Sequence, residues 1–249
     1  MVLFGDVTYP DYKSFKGKSN MKESVVLVHG LWMSGYACLY WQRSVRQTGM
    51  ESVIYSYPTV FNRMDQNAER LFRAIKRLAK STNKVHLVGH SMGGMVILHM
   101  LRRHGHTFGK NGLPQLGRVV LCGSPINGSH AARTVRSWPV FGRVLGNSIL
   151  DWSGISRTQL PEHLDIGVIA GTRNLGFGRM VKSLPQPSDG TVSLVETELK
   201  GGETDRVCMK ISHAEMLVAP AVGTQIVHFL QNGRFLHRAD GFFSERVPQ

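Results

Sequence analysis

Acidic side chains are scarce in this chain: 17 Asp and Glu stand against 30 Lys and Arg, a formal net charge of +13 at pH 7. Such a surplus attracts anionic partners in general. The basic residues are dispersed, with Arg70, Arg73, Lys76, Arg77 and Lys80 in one stretch, Arg102 and Arg103 in another, and Arg133, Arg136 and Arg143 further on. No nucleic-acid-binding signature accompanies them, so nucleic acid is not an expected partner. The surface reads first as a solvated positive face, with contact to anionic lipid headgroups as the secondary reading.

Cysteine is sparse as well. Cys38, Cys122 and Cys208 are odd in number and far apart, which excludes a disulfide framework and reads as buried, reduced thiols of a cytoplasmic protein. No apolar run reaches about 18 residues, so no transmembrane helix is expected. The first residues carry Asp6, Asp11, Lys13, Lys16, Lys18 and Lys22 without an apolar core, and no signal peptide is read there. No acid partner or cysteine arrangement makes His99, His104 and His106 a metal site, and neither a metal nor another cofactor is expected. With 249 residues, 42% of them hydrophobic, one domain over 1–249 buries an adequate core unaided.

The chain has instead a repeated alternation of apolar runs and helical periodicity. Ser24–Val28, Ser52–Tyr57, Lys84–Val88, Arg118–Cys122, Ile166–Ala170 and Arg206–Ile211 lack polar alternation, as strands covered on both faces do. Between the second and third, Asn62 to Lys80 carries Met64, Ala68, Leu71, Phe72, Ile75, Leu78 and Ala79 on one helical face. A further helix is expected over Pro220–Gln231, stopped by Asn232-Gly233. Repeated β–α units predict a doubly wound, mostly parallel sheet. One stretch interrupts the alternation. From about 127 to 160 the chain is too long for a simple connection, and it reads as a small helical cap.

Chemistry enters at Gly89-His90-Ser91-Met92-Gly93. An apolar strand runs into this G-x-S-x-G, and the helix-compatible run Met95 to Arg103 follows. That context describes a sharp strand-to-helix turn exposing the Ser91 hydroxyl. Glycines at 89 and 93 allow the close packing such a turn needs. A serine alcohol requires a general base, and the base requires an orienting acid. The site belongs beyond the carboxyl ends of the strands. His213 meets this condition, lying between the last strand and the terminal helix. His86 falls inside a strand, His90 is expected to point away from the serine, and His99, His104 and His106 lie on or beyond a helix.

For the acid, Asp189 in Ser188-Asp189-Gly190-Thr191-Val192 lies between the fifth strand and His213. A simple Asp-Gly turn is the competing reading of that stretch. Asp165 and Asp205 begin strands, at the wrong end of the sheet, and Asp151 falls in the cap. Two backbone amides are needed to hold an oxyanion. Met92, the residue after the nucleophile, supplies one, and Leu31 after His29-Gly30 supplies the other.

Together, His29-Gly30-Leu31-Trp32, Gly89–Gly94, Gly123-Ser124-Pro125-Ile126-Asn127-Gly128-Ser129, Asp189–Val192 and Ser212–Met216 resemble the α/β-hydrolases of the bacterial lipase and esterase type. The resemblance runs from about residue 24 to 230. It implies the α/β-hydrolase fold and a Ser91–His213–Asp189 triad acting through an acyl-enzyme on small-molecule acyl esters, with lipid or fatty-acyl esters favoured. Thioesterase and acyltransferase chemistry use the same parts, and a non-catalytic ligand-binding scaffold is the reading from another class.

Overall fold

The computed structural model describes residues 2–3, 22–128, 154–176 and 184–237. Its strands are β1 (Val2–Leu3), β2 (Glu23–Val28), β3 (Glu51–Tyr55), β4 (Lys84–His90), β5 (Gln115–Cys122), β6 (Ile166–Gly171) and β7 (Asp205–Met209). They form one sheet in the order β1-β3-β2-β4-β5-β6-β7, and every pairing is parallel. The main helices are α1 (Leu39–Arg46), α2 (Met64–Leu78), α3 (Met92–His104) and α4 (Pro220–Asn232).

Successive residues of a strand point to opposite faces, and the two hydrophobic clusters follow that period of two. Val26 and Val28 of β2, Leu87 of β4 and Leu121 of β5 pack with α2 and α3. Their neighbours Val25, Leu27, Val88 and Val120 pack on the other face with Trp41 of α1 and with Ile226 and Phe229 of α4. Both faces are therefore buried, which is why the strands read as unbroken apolar runs. The doubly wound sheet expected from the alternation is the observed one. Strand and helix limits move by one to three residues, and the strand read as Arg206–Ile211 ends at Met209.

Two elements carried too little signal to be read from sequence. Strand β1 has two residues, and α1 is a short helix following a single turn of tighter 3-10 helix. Most of the proposed cap, residues 129–153, lies outside the described residues. Its flanks meet: Ile155 N donates to Ile126 O at 3.3 Å, and Asn127 N donates to Glu196 O at 2.9 Å. Ile126 and Ile155, on either side of residues 129–153, thus lie beside each other just past the carboxyl end of β5. No helix of the described residues is long and apolar enough to cross a membrane.

Candidate active site

Ser91 stands between the end of β4 and the start of α3 with φ 52° and ψ −123°. A non-glycine residue rarely adopts positive φ, and holding it there costs roughly 1–3 kcal/mol that the surroundings must offset. Here the surroundings are backbone: Ser91 N donates to Cys122 O of β5 at 2.9 Å, and Ser91 O accepts from Gly94 N at 3.1 Å. Gly93 passes directly under the carbonyls of Val28 and His29, where a Cβ would collide with backbone. The turn read from the sequence is present, with the serine partly exposed at its crest.

Asp189 lies over the carboxyl end of β6, since a Cβ built on Gly171 would come within 2.7 Å of the Asp189 Cβ. Its side chain is buried, and Oδ1 accepts the amides of Thr191 at 2.9 Å and Val192 at 2.7 Å. That is the turn its sequence also suggested. The other oxygen faces away from the turn and accepts from His213 Nδ1 at 2.7 Å. The backbone joins them again, with His213 N donating to Asp189 O at 2.9 Å. A carboxylate only accepts, so the proton sits on Nδ1 and the lone pair of His213 lies on Nε2. This is the tautomer a general base needs.

The loop carrying His213 is anchored on several sides. Trp41 Nε1 donates to Met216 O at 2.9 Å, Glu215 accepts from Ser212 N at 2.7 Å, and Arg173 Nη1 meets Glu215 Oε1 at 2.6 Å. The His213 ring lies with its centroid 4.6 Å from that of His90, the residue before Ser91. Ser91 Oγ and His213 Nε2 are not hydrogen-bonded to each other; such contacts commonly tighten only when substrate is held.

The loop after β2 is set by His29. Its buried ring donates from Nδ1 to Gly30 O at 3.0 Å, while Nε2 accepts from Ser56 Oγ at 3.1 Å. Tyr57 stacks on this ring at 4.7 Å and donates its hydroxyl to His29 O at 2.9 Å. Burial keeps the His29 pKa below its ordinary value, so the ring stays neutral. Pinning the Gly30 carbonyl fixes a peptide plane whose opposite edge is the Leu31 N–H. Met92 N is the first amide of α3. Among the described residues, neither Leu31 N nor Met92 N donates a hydrogen bond. From the sequence, His29-Gly30 leads into the Leu31 amide, and the work of the imidazole is missed. A polar ring closing an apolar strand was the available sign.

The rejected candidates have structural partners. Asp165 pairs with Arg118 at 3.0 Å, and Asp205 accepts from Phe235 N at 2.7 Å, both at the amino ends of strands. Glu196 accepts from the backbone and side chain of Ser193, each at 2.7 Å, and caps a short helical turn. His86 contacts Glu23 at 3.1 Å and accepts from Arg118 N at 3.0 Å. Asp151 lies outside the described residues. Among the described residues no cluster of His, Cys, Asp and Glu is suited to a metal ion. The three cysteines are buried, and no disulfide joins them.

Comparison with known proteins bears on the family and the fold. A profile described as the alpha/beta hydrolase family matches residues 25–232. Among solved structures, the mature lipase BlEst2 of Bacillus licheniformis superimposes with a TM-score of 0.66 at 19% identity, covering 89% of this chain and 96% of its own. The lin2722 product of Listeria innocua gives 0.58 at 14% identity, covering 85% of this chain and 94% of its own. The RedJ thioesterase of Streptomyces coelicolor gives 0.56 at 12%, with 88% and 91% covered. At these identities the likeness is one of fold. A search of curated protein sequences returned no match.

Proposed function

Because this chain belongs to the alpha/beta hydrolase family, we propose that it hydrolyses carboxylic esters, with fatty-acyl esters as the substrate class. The observation that carries the reading is the 2.7 Å contact between His213 Nδ1 and Asp189 Oδ2 on loops at the same sheet end as Ser91. In this reading the Ser91 oxygen attacks the acyl carbonyl while its proton passes to His213 Nε2. The carbonyl oxygen, now negative, rests against the amides of Leu31 and Met92. One such donor is worth roughly 3–4 kcal/mol of transition-state stabilisation. The tetrahedral intermediate collapses, the C–O bond to the alcohol breaks, and His213 returns the proton to the leaving oxygen. Water then attacks the acyl-serine by the same route and releases the acid.

The preference for acyl chains draws support from where the exposed apolar side chains sit. Trp32, Tyr36 and Leu39 follow β2, Phe61 follows β3, Leu175 follows β6 and Val218 follows β7. These six lie on segments that follow the carboxyl ends of strands, with exposures from 46% to 85%, whereas Val195, 48% exposed, lies on the short helical turn before β7. A rim of this kind suits a hydrocarbon chain better than a polar substrate. The net charge of +13 supports peripheral contact with anionic membrane, and three buried cysteines outside any disulfide support a reducing, cytoplasmic setting. Thioester hydrolysis or acyl transfer is the second reading, favoured by the fold shared with the RedJ thioesterase.

The test joins a serine-directed fluorophosphonate probe to a panel of p-nitrophenyl esters of increasing chain length, run beside acyl-CoA. Labelling at Ser91 with ester turnover rising toward longer chains is expected. Acyl-CoA turnover far above ester turnover selects the thioesterase reading. Absence of labelling in the wild type rejects catalysis and leaves a ligand-binding scaffold.

A further inference from the structure

His90 is the last residue of β4 and is fully buried, at the junction of the loops that carry the proposed chemistry. Its Nε2 lies 3.0 Å from the backbone carbonyl of His213. A carbonyl only accepts, so this nitrogen carries the proton and donates. Beyond that bond, the His90 ring packs 4.6 Å from the His213 ring and edge-on to Trp41 at 6.1 Å. The loop before Leu31 closes the remaining side, for a Cβ on Gly30 would lie 3.0 Å from both His90 Nδ1 and Ser91 Cβ. One imidazole thus touches the loop of the proposed base, the loop of one proposed oxyanion amide, and the nucleophile's own turn.

We propose that His90 is a positioning residue for His213: its Nε2–H holds the His213 backbone, and its ring, tilted 47° to the His213 imidazole, bounds the space that imidazole occupies. This rests on the reading of His213 as the base. His90 does not itself touch substrate. Its Nδ1 has no hydrogen-bond partner among the described residues, so a second proton on the ring has nothing to receive it. Burial and the neighbouring His213 accordingly hold its pKa well below the ordinary value. A neighbour whose charged form is disfavoured by burial matters. A cation at 4.6 Å would oppose the positive charge that His213 takes up during each acyl transfer. The expectation that this side chain points away from the serine is compatible with the role, because the ring acts on the far loop.

The experiment compares His90→Phe, which keeps a flat ring and loses the donor, with His90→Gln, whose amide reaches the same carbonyl. Displacement of a base by about 1 Å costs on the order of 100-fold, so His90→Phe is expected to lower kcat by roughly 10- to 100-fold with KM held, and to slow fluorophosphonate labelling in proportion. His90→Gln is expected to recover most of that loss. Wild-type kcat in folded His90→Phe overturns the proposal. So does a folded His90→Gln no better than His90→Phe. A measurement on the unaltered protein stands beside the variants: 15N-histidine NMR is expected to show His90 as the Nε2–H tautomer alone, and an Nδ1–H tautomer removes the donor and the proposal with it. His213→Ala separates the two readings. If it labels as fast as wild type, the assigned base is wrong; if it is inert while His90→Phe is unimpaired, only the role of His90 falls.

Discussion

Arg173 Nη1 and Glu215 Oε1 lie 2.6 Å apart and tie the loop after β6 to the loop after β7, two residues beyond His213. Both side chains are substantially exposed, and an exposed pair of this kind contributes little to stability. Glu215 has a second task. Its other oxygen accepts from Ser212 N at 2.7 Å and so shapes the chain immediately before His213. The two partners are therefore expected to separate kinetically. Arg173→Ala is expected to leave ester kcat within about twofold, since an exposed ion pair contributes little. Glu215→Ala releases the turn and lowers kcat several-fold with KM unchanged. Equal effects of the two substitutions would assign the role to the ion pair instead.

At the proposed triad, Ser91→Ala is expected to lower turnover by about a millionfold while the fold persists. Asp189→Asn is expected to cost about 10,000-fold, because an amide in that place no longer selects the Nδ1–H tautomer of His213. Steady-state ester hydrolysis with circular dichroism measures both. Full activity in Asp189→Asn would require another acid, and among the described residues Glu196 is committed to its cap.

Gly93 has no room for a methyl group, because the backbone carbonyls of Val28 and His29 occupy the space. Gly93→Ala is expected to destabilise the protein by more than the roughly 1–3 kcal/mol typical of an overpacked core site, since backbone rather than a side chain must yield. Denaturant titration of purified protein is the check. A stable, active Gly93→Ala would mean that the elbow can shift away from β2.

Trp41 offers a milder change. Replacing it by Phe keeps most of the buried ring and strands the Met216 carbonyl that Nε1 reaches at 2.9 Å. A loss of about 1–3 kcal/mol in unfolding free energy is expected for the orphaned acceptor. A smaller loss would indicate that the carbonyl finds another donor.

Acid sensitivity follows from the buried imidazoles. Burial depresses the pKa of His29, His86 and His90 below the ordinary 6.5, and that of His99 to about 4. The unfolded chain takes up these protons from about pH 6.5 downward while the folded chain refuses them. Stability is thus whole above pH 6.5 and falls as the pH drops toward each folded value. Carboxylates such as Glu23, whose pKa is lowered by its bonds to Lys84 and His86, act in a lower window, below about 4.5. Urea midpoints are expected to be level above pH 7 and to decline from pH 6.5 to 5, more shallowly in His99→Gln. A level profile over that interval contradicts the buried neutral rings.

The order of strands and helices was legible because burial on both faces leaves long apolar runs, and those survive small errors in their limits. Ser91 was legible because a strand, two glycines and a helix coincide around it. Asp189 and His213 followed from which end of a parallel strand each occupies. The contributions of His29 and His90 were hidden, because a buried histidine in a strand looks the same whether it fills space or holds a loop. The hydrogen bonds that distinguish the cases reach Gly30 and Ser56 for one ring and residue 213 for the other. Helix α1 was missed for a related reason: its buried face is little more than Trp41, Gln42 and Val45.

The groups proposed to act together are strung far apart along the chain, at positions 31, 91, 189 and 213, and only the assembled sheet gathers them. A polypeptide emerging from the ribosome would present the serine long before its imidazole was made. Such a chain is chemically silent toward esters, so synthesis and the onset of reactivity are separated in time by the wait for the final strand and helix to dock.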